Sequence, residues 1–189
     1  MSELEEEREI NKWKLIESSY LIKHKYLTIR KDHVLTQSGV DIPDWYVLEY
    51  PDWINVIAIT DDGRLVMERQ YRHGIGVVGY EICAGIIEKG ETPLHAAQRE
   101  LKEETGYGEG NWELYNISSP NPSSMNNRNY TFLAKGVKRI SGQSLEDAES
   151  IEVCLLSTEQ VKELLWNNEI IEGIMQAPLW KYFANMNSI

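Results

Sequence analysis

The stretch Gly85-Ile-Ile-Glu-Lys-Gly-Glu91-Thr-Pro-Leu-His-Ala-Ala-Gln-Arg99-Glu100-Leu-Lys-Glu103-Glu104-Thr-Gly106-Tyr107 decides how the rest of this chain is read. Thr92 is a natural N-cap, Pro93 suits the first helical position, and Gly106 is a C′ stop, so a helix is predicted between them. On that helix Leu94, Ala97 and Leu101 form an apolar stripe able to face a core. Glu100, Glu103 and Glu104 fall at i, i+3 and i+4 on an adjacent face. Like charges so spaced destabilise an isolated helix by a few tenths of a kcal/mol each, a cost that a hard divalent cation would reverse. Mg²⁺ or Mn²⁺ takes oxygen ligands and commonly bridges carboxylates to substrate phosphates.

Three glutamates alone would equally describe a solvated acidic face. The spacing is more specific: G-x5-E-x7-R-E-U-x-E-E-x-G-U, where U is apolar, with all seven fixed positions matched. At residue frequencies of about 6%, such a match arises by chance less than roughly once in a million chains of this length.

Working outward, Trp53–Thr60 and Arg64–Tyr71 read as strands flanking Asp61-Asp62-Gly63, a hairpin signal because Gly supplies a positive φ. The second of these ends in Glu68-Arg-Gln-Tyr-Arg72, polar enough to suggest the end of a sheet. Tyr80–Cys83 is a further short strand. Upstream lie an acidic helix candidate, Ser2–Ile10, and β-type runs at Trp13–Glu17, Tyr26–Leu35 and Trp45–Tyr50. Downstream, strands are expected at Trp112–Ile117, Tyr130–Ala134 and Ile151–Leu156, with a Pro/Ser/Asn-rich loop from Ser119 to Asn129. Ser157-Thr-Glu-Gln160 is a capping box opening a helix, and a last helix spans Glu172 to Phe183. Many strands, one internal helix and terminal helices give α+β with a mixed sheet.

The chain has 189 residues, with 19 Lys+Arg against 30 Asp+Glu and a formal charge of −11. Phosphate backbones require a basic footprint, so neither nucleic acid nor an anionic membrane is an expected partner. A phosphorylated small molecule would need a cation between the two like charges. The two cysteines, Cys83 and Cys154, make no CxxC pair and read as buried core, which argues against a disulfide framework or a zinc site. His24, His33, His73 and His95 show no metal-ligand spacing. The opening MSELEEEREI lacks the basic and apolar regions of a signal peptide, and no apolar stretch reaches ~20 residues, so a cytoplasmic protein is expected.

The spacing from Gly85 to Tyr107 resembles the Nudix box, and the chain resembles the Nudix hydrolase superfamily, whose members cleave a nucleoside diphosphate linked to another moiety. Glu68-Arg-Gln-Tyr-Arg72 followed by Tyr80-Glu-Ile-Cys-Ala-Gly85 is similar to the ADP-ribose pyrophosphatase branch. Pro122 stands where that branch carries a proline, and Tyr130–Ala134 and Glu149–Val153 match its later strands. Two positions depart from it: Cys83 replaces a usual proline, and Asn127 stands where a glutamate is frequent.

The resemblance implies a Nudix fold, a mixed β-sheet sandwiched between helices (α/β/α) with N-terminal antiparallel strands. Residues 1–50 would serve dimerisation and residues 51–189 form the hydrolase domain. It implies Mg²⁺, with Mn²⁺ as an alternative, held by Glu100 and Glu104 with contributions from Glu103 and the Ala84 carbonyl. A homodimer acting on a nucleotide-sugar is implied, giving a nucleoside monophosphate and a sugar phosphate. A nucleoside triphosphate, a dinucleotide polyphosphate, or metabolite sensing without turnover are the alternatives.

Glu91 and Arg99 read as an ion pair bracing the loop against the helix. The densest acidic cluster downstream, Glu146-Asp147-Ala-Glu149, offers Glu149 as general base, with Asp147 and then Glu103 as substitutes. Arg72 offers a planar fork for a phosphate or ribose, against the alternative of a surface ion pair. Trp53 and Tyr46 are candidates to stack on a base, against a plain core role. Met125 and Asn127 complete the substrate-binding candidates from the loop.

Overall fold

The computed structural model describes residues 11–24 and 27–186; the helix expected over residues 2–10 and Tyr26 lie outside the described residues. The contacts divide the chain into two compact units, the first holding the described residues up to Tyr50 together with Asn121–Asn126.

The first unit is an antiparallel sheet of β1 (Lys14–His24), β2 (Leu27–Leu35) and β3 (Asp41–Glu49), in that order. β1 extends well beyond the expected Trp13–Glu17, because β2 pairs with it from Leu35 back to Leu27. Every residue of β1 is exposed, including Leu15, Ile16, Tyr20, Leu21 and Ile22. Asp32 is buried between β1 and β3, accepting from Arg30 Nε at 2.8 Å and from the Ser18 hydroxyl. The 121–126 segment joins this unit through Leu48, whose N–H donates to the Ser124 carbonyl at 2.7 Å and which bridges Met125.

The second unit is built on β4 (Trp53–Thr60), β5 (Leu65–Arg72), β6 (Val77–Glu81), β7 (Cys83–Ile86), α1 (Pro93–Glu100), β8 (Tyr107–Gly108), β9 (Asn111–Ser118), β10 (Asn129–Arg139), β11 (Ile151–Leu156), α2 (Thr158–Trp166) and α3 (Gly173–Met186). The strands form one eight-stranded mixed sheet along β11-β5-β4-β10-β8, with β6 on β5, β7 on β4 and β9 on β10. β4 and β10 run parallel, and the other pairings are antiparallel. The hairpin at Asp61-Asp62-Gly63 forms as expected, with Gly63 at φ +82°. Where one strand was expected around Tyr80–Cys83 there are two, because Ile82 lies between a segment pairing β5 and a segment pairing β4.

Strand alternation divides the core. Ile54, Val56 and Ala58 of β4 pack with Ala96, Ala97 and Leu101 below α1, while Ile57 and Ile59 meet Val161, Leu165, Met175, Leu179 and Phe183 of α2 and α3. A helix layer on each face gives the α/β/α arrangement. Each fully buried aliphatic side chain contributes about 1.5–3 kcal/mol. The Ser157–Gln160 capping box is present, the hydroxyl accepting from Gln160 N at 3.2 Å and the amide accepting from Ser157 N at 2.8 Å.

Two readings of this region are corrected. Leu94 is exposed and Ala96 takes its place in the core, because the helix turns its Ala96–Ala97 edge toward the sheet. Glu68 is not at a sheet end: it pairs Glu81 of β6 on one side and Val153 of β11 on the other, and is buried.

Candidate active site

α1 starts as its sequence dictates, Thr92 capping with its hydroxyl accepting from His95 N at 3.3 Å and Pro93 at the first position. It then changes winding. Residues Leu101–Thr105 form a π-helical turn that ends at Gly106, φ +76°. Such turns are rare and concentrate at functional sites. The segment that follows β10 satisfies the carbonyls this turn leaves open: Ser144 N donates to Glu103 O at 2.8 Å, Gln143 Nε2 to Glu104 O at 2.7 Å, and Ile140 N to Gly106 O at 2.8 Å.

The glutamates do not occupy a solvated flank. Glu100 and Glu104 point inward and are 9% and 6% exposed, while Glu103 is half-exposed. Burial pushes Glu100 up to about 7 and Glu104 up to about 8, Arg99 opposing the first shift and the Cys83 thiol and Ala84 N–H the second. Glu104 Oε2 accepts from Ala84 N at 3.2 Å. The Glu100 carboxyl lies against Gly85, where a Cβ would come within 2.2 Å of its carbon and Oε1. Two buried carboxyls, with the Glu103 carboxylate tied to the same Arg99, suit a hard divalent cation, whose charge would make both anions favourable. These residues therefore fit the Mg²⁺ that the resemblance implies.

Arg99 organises the outer side of this cluster. Its Nε and Nη2 each reach Glu91 at 3.0 Å, Nη2 also donates to the Ile86 carbonyl at 3.1 Å, and Nη1 meets Glu100 Oε1 at 2.8 Å and Glu103 Oε2 at 3.2 Å. The Glu91–Arg99 brace expected from sequence is present as a bidentate pair, and it holds Glu91 below the usual carboxylate range.

Glu149 lies near enough that its charge helps to raise both Glu100 and Glu104. It is half-buried, on the turn before β11, and its Oε2 accepts from Glu146 N at 2.8 Å. Asp147 is exposed on the same turn.

A cavity of about 600 Å³ is lined by Trp53, Ile54, Asn55, Arg72, Tyr80, Glu81, Ala84, Gly85, Ile86 and Glu172, among others. The carboxylates of α1 and the π turn do not line it; Ala84 and Gly85 join the two places, since each also touches Glu104 or Glu100. Arg72 and Trp53 are thus brought to the cavity. Arg72 is held there by Glu81, Nε donating at 2.8 Å and Nη2 at 2.5 Å. Tyr46 and Met125 belong to the first unit. Asn127 is turned inward and 2% exposed, its amide donating to the Pro51 carbonyl at 3.1 Å.

Three residues escaped the sequence reading. Glu81 anchors Arg72. Glu172, at the start of α3, faces the cavity, with its carboxyl raised by burial and lowered by Arg72. Glu68 is buried in β5, raised well above the ordinary range by burial and by the Glu104 and Glu81 charges. Alternation in Leu65-Val66-Met67-Glu68 held the signal, since Glu68 shares a face with the buried Val66.

Comparison with known proteins agrees with the geometry. The NUDIX domain family matches residues 50–176, and the nucleoside diphosphate sugar hydrolase N-terminal domain matches residues 13–48. An ADP-ribose pyrophosphatase of Bacillus subtilis (strain 168) is 30% identical over 128 residues, 67% of this chain and 69% of that protein. A methanol dehydrogenase activator of Bacillus methanolicus is 28% identical over 161 residues, 85% of this chain and 86% of that one. The crystal structure of an ADP compounds hydrolase superposes with a TM-score of 0.84 at 20% identity, covering 96% of this chain and 97% of that chain, a likeness of fold. With Arg99, Glu100, Glu103 and Glu104 of the seven fixed positions on α1 and its π turn, Gly85 on β7 beside them, and the family match spanning the whole sheet that supports them, the chain belongs to the Nudix family of hydrolases.

Proposed function

We propose that the protein hydrolyses the diphosphate linkage of ADP-ribose or a related nucleoside diphosphate sugar in a Mg²⁺-dependent reaction, releasing a nucleoside monophosphate and a sugar phosphate. The observation that carries this reading is the inward pair Glu100 and Glu104, raised to about 7 and about 8 and joined through Gly85 and Ala84 to a cavity that holds Arg72 and Trp53. The N-terminal match to nucleoside diphosphate sugar hydrolases and the similarity to an ADP-ribose pyrophosphatase support the substrate class.

Glu100, Glu104, Glu103 and the Ala84 carbonyl would hold the ion. When bound, it supplies charge neutralisation at the diphosphate and Lewis acidity at phosphorus. The protein's own residues supply the rest. Arg72, fixed by Glu81, presents its guanidinium to a phosphate or ribose hydroxyl, and Trp53 offers a flat apolar surface for a base. Glu149, on its turn beside the two glutamates, takes the proton from the attacking water. Arg99 keeps Glu100 oriented from behind.

The first unit supports a homodimer: an 11-residue strand, exposed along its whole length and rich in apolar side chains, is an edge that a second copy would cover. Among the described residues no helix is long and apolar enough to cross a membrane, and we place the enzyme in the cytoplasm. The test of function is a panel of nucleoside diphosphate compounds assayed with and without Mg²⁺, with products identified by chromatography.

A further inference from the structure

Glu68, Cys83 and Glu104 come from β5, β7 and the π turn, and each offers a ligand atom within 4.8 Å of the other two. Glu104 belongs to the magnesium set above, but Glu68 and Cys83 take no part in the proposed hydrolysis. Cys83 packs in the core below α1, and Glu68 is buried on the same strand face as Val66, where a carboxyl has no packing reason. Glu68 is 2% exposed, and its Oε1 has no hydrogen-bond partner among the described residues. An unmatched buried carboxyl oxygen is costly and calls for a ligand. The nearby Arg72 does not supply one, since Glu81 engages its fork. Cys83 is wholly buried, and its thiol bonds to the Glu104 carboxylate.

We infer that Glu68, Cys83 and Glu104 form a second, interior cation site that takes a borderline divalent ion such as Zn²⁺ or Co²⁺ through one thiolate and two carboxylates. Mg²⁺ keeps several waters and avoids sulfur, whereas Zn²⁺ and Co²⁺ accept mixed sulfur and oxygen ligands and give up water readily. Zinc–sulfur and zinc–oxygen bonds of about 2.3 and 2.1 Å set ligand atoms roughly 3.5 Å apart, so small side-chain rotations close the site. On binding, the Cys83 thiol releases its proton to solvent and a sulfur lone pair forms the metal bond, with no change of oxidation state. The site shares Glu104 with the proposed hydrolytic centre but does not depend on turnover.

The test is titration of the purified, metal-free protein with Co²⁺, followed by absorbance. The wild type is expected to show a near-ultraviolet sulfur-to-cobalt charge-transfer band saturating at one ion per chain. The band is expected to vanish in Cys83→Ser and to persist in Cys154→Ser, which removes the other cysteine. Glu68→Gln is expected to weaken cobalt binding by at least ~10-fold. Circular dichroism checks that each variant is folded. Failure of the wild type to bind cobalt, binding without the band, a band that survives Cys83→Ser, or unchanged affinity in Glu68→Gln would each overturn the site. Magnesium-dependent hydrolysis, measured on the same preparations, separates this result from the fate of the proposed function.

Discussion

The carboxyl group of Glu100 occupies the space that a side chain at Gly85 would fill, with a Cβ there only 2.2 Å from the carboxyl carbon and 2.5 Å from Cγ. Gly85 is therefore the floor on which one proposed metal ligand rests, and it also lines the cavity. The yielding partner is the end of a flexible side chain, so Gly85→Ala is expected to displace Glu100 rather than the backbone. Turnover should fall by ~10²-fold, since one ligand to a metal-stabilised transition state is worth several kcal/mol. Thermal stability should change little, because a Gly→Ala change also restricts the unfolded chain by about 0.4–1 kcal/mol. Paired kinetic and melting measurements check this, and a large loss of melting temperature with turnover retained would count against it.

Without divalent metal, stability should fall as pH rises from about 4.5 to about 8 and level off above that. Glu100 and Glu104 move from an unfolded value of 4.5 to about 7 and about 8 in the fold, burial being the chief cause. A carboxyl raised on folding contributes stability that is fully present below 4.5 and lost as pH climbs through its folded value. Glu68 and Glu172 are shifted in the same direction. Carboxylates lowered on folding, such as Asp32 and Glu91, lose their contribution only in acid, so the window above pH ~5 is clear of them. At about 1.4 kcal/mol per unit, the loss is on the order of several kcal/mol, or roughly 10 °C in melting temperature between pH 5 and 9. Glu104→Gln should flatten the fall and Mg²⁺ should reverse it, both read by calorimetry in chelator and after metal addition.

These shifts were hidden in the sequence, and the reason is physical. Signals confined to a few neighbouring residues could be read directly: Thr92 and Pro93 at the start of α1, Gly63 in its hairpin, Ser157 and Gln160 in their box. So could the family spacing from Gly85 to Tyr107. What depended on pairing across the sheet could not. Glu68 looked like the end of a sheet until β6 and β11 closed on both sides of it, and the ion-pair partner of Arg72 could not be named until Glu81 arrived from the next strand. Ala96 and Leu94 differ only in which edge of α1 the sheet receives, and the π turn has no short sequence rule. Asn127 looked accessible in a polar loop, yet its amide is needed by the Pro51 carbonyl.

Glu149 is the proposed general base because it, not Asp147, is half-buried and acts electrostatically on Glu100 and Glu104. Glu149→Gln is expected to lower kcat by ~10² to 10⁴-fold with metal affinity little changed, while Asp147→Asn stays within a few-fold of wild type. Near-full turnover in both variants would move the role elsewhere, with Glu103 the next residue to replace.

The exposed β1 strand should be covered by a second copy of the chain. Light scattering at micromolar concentration is expected to give twice the 21.8 kDa chain mass. Replacing Leu21 with Glu, at 55% exposure, should drive the protein toward monomer without lowering the melting temperature of the second unit. A wild-type protein that runs as a monomer at that concentration rules this arrangement out.

The most direct test of the account is incubation of the wild type and of the Glu100→Gln and Glu104→Gln variants with ADP-ribose and Mg²⁺, with chromatographic identification of products. The wild type is predicted to release AMP and a sugar phosphate only when the metal is present, and each variant to do so at least ~10²-fold more slowly while remaining folded. If no nucleoside diphosphate compound is cleaved, or if both variants match the wild type at subsaturating Mg²⁺, the buried glutamates are not the centre of a hydrolytic site.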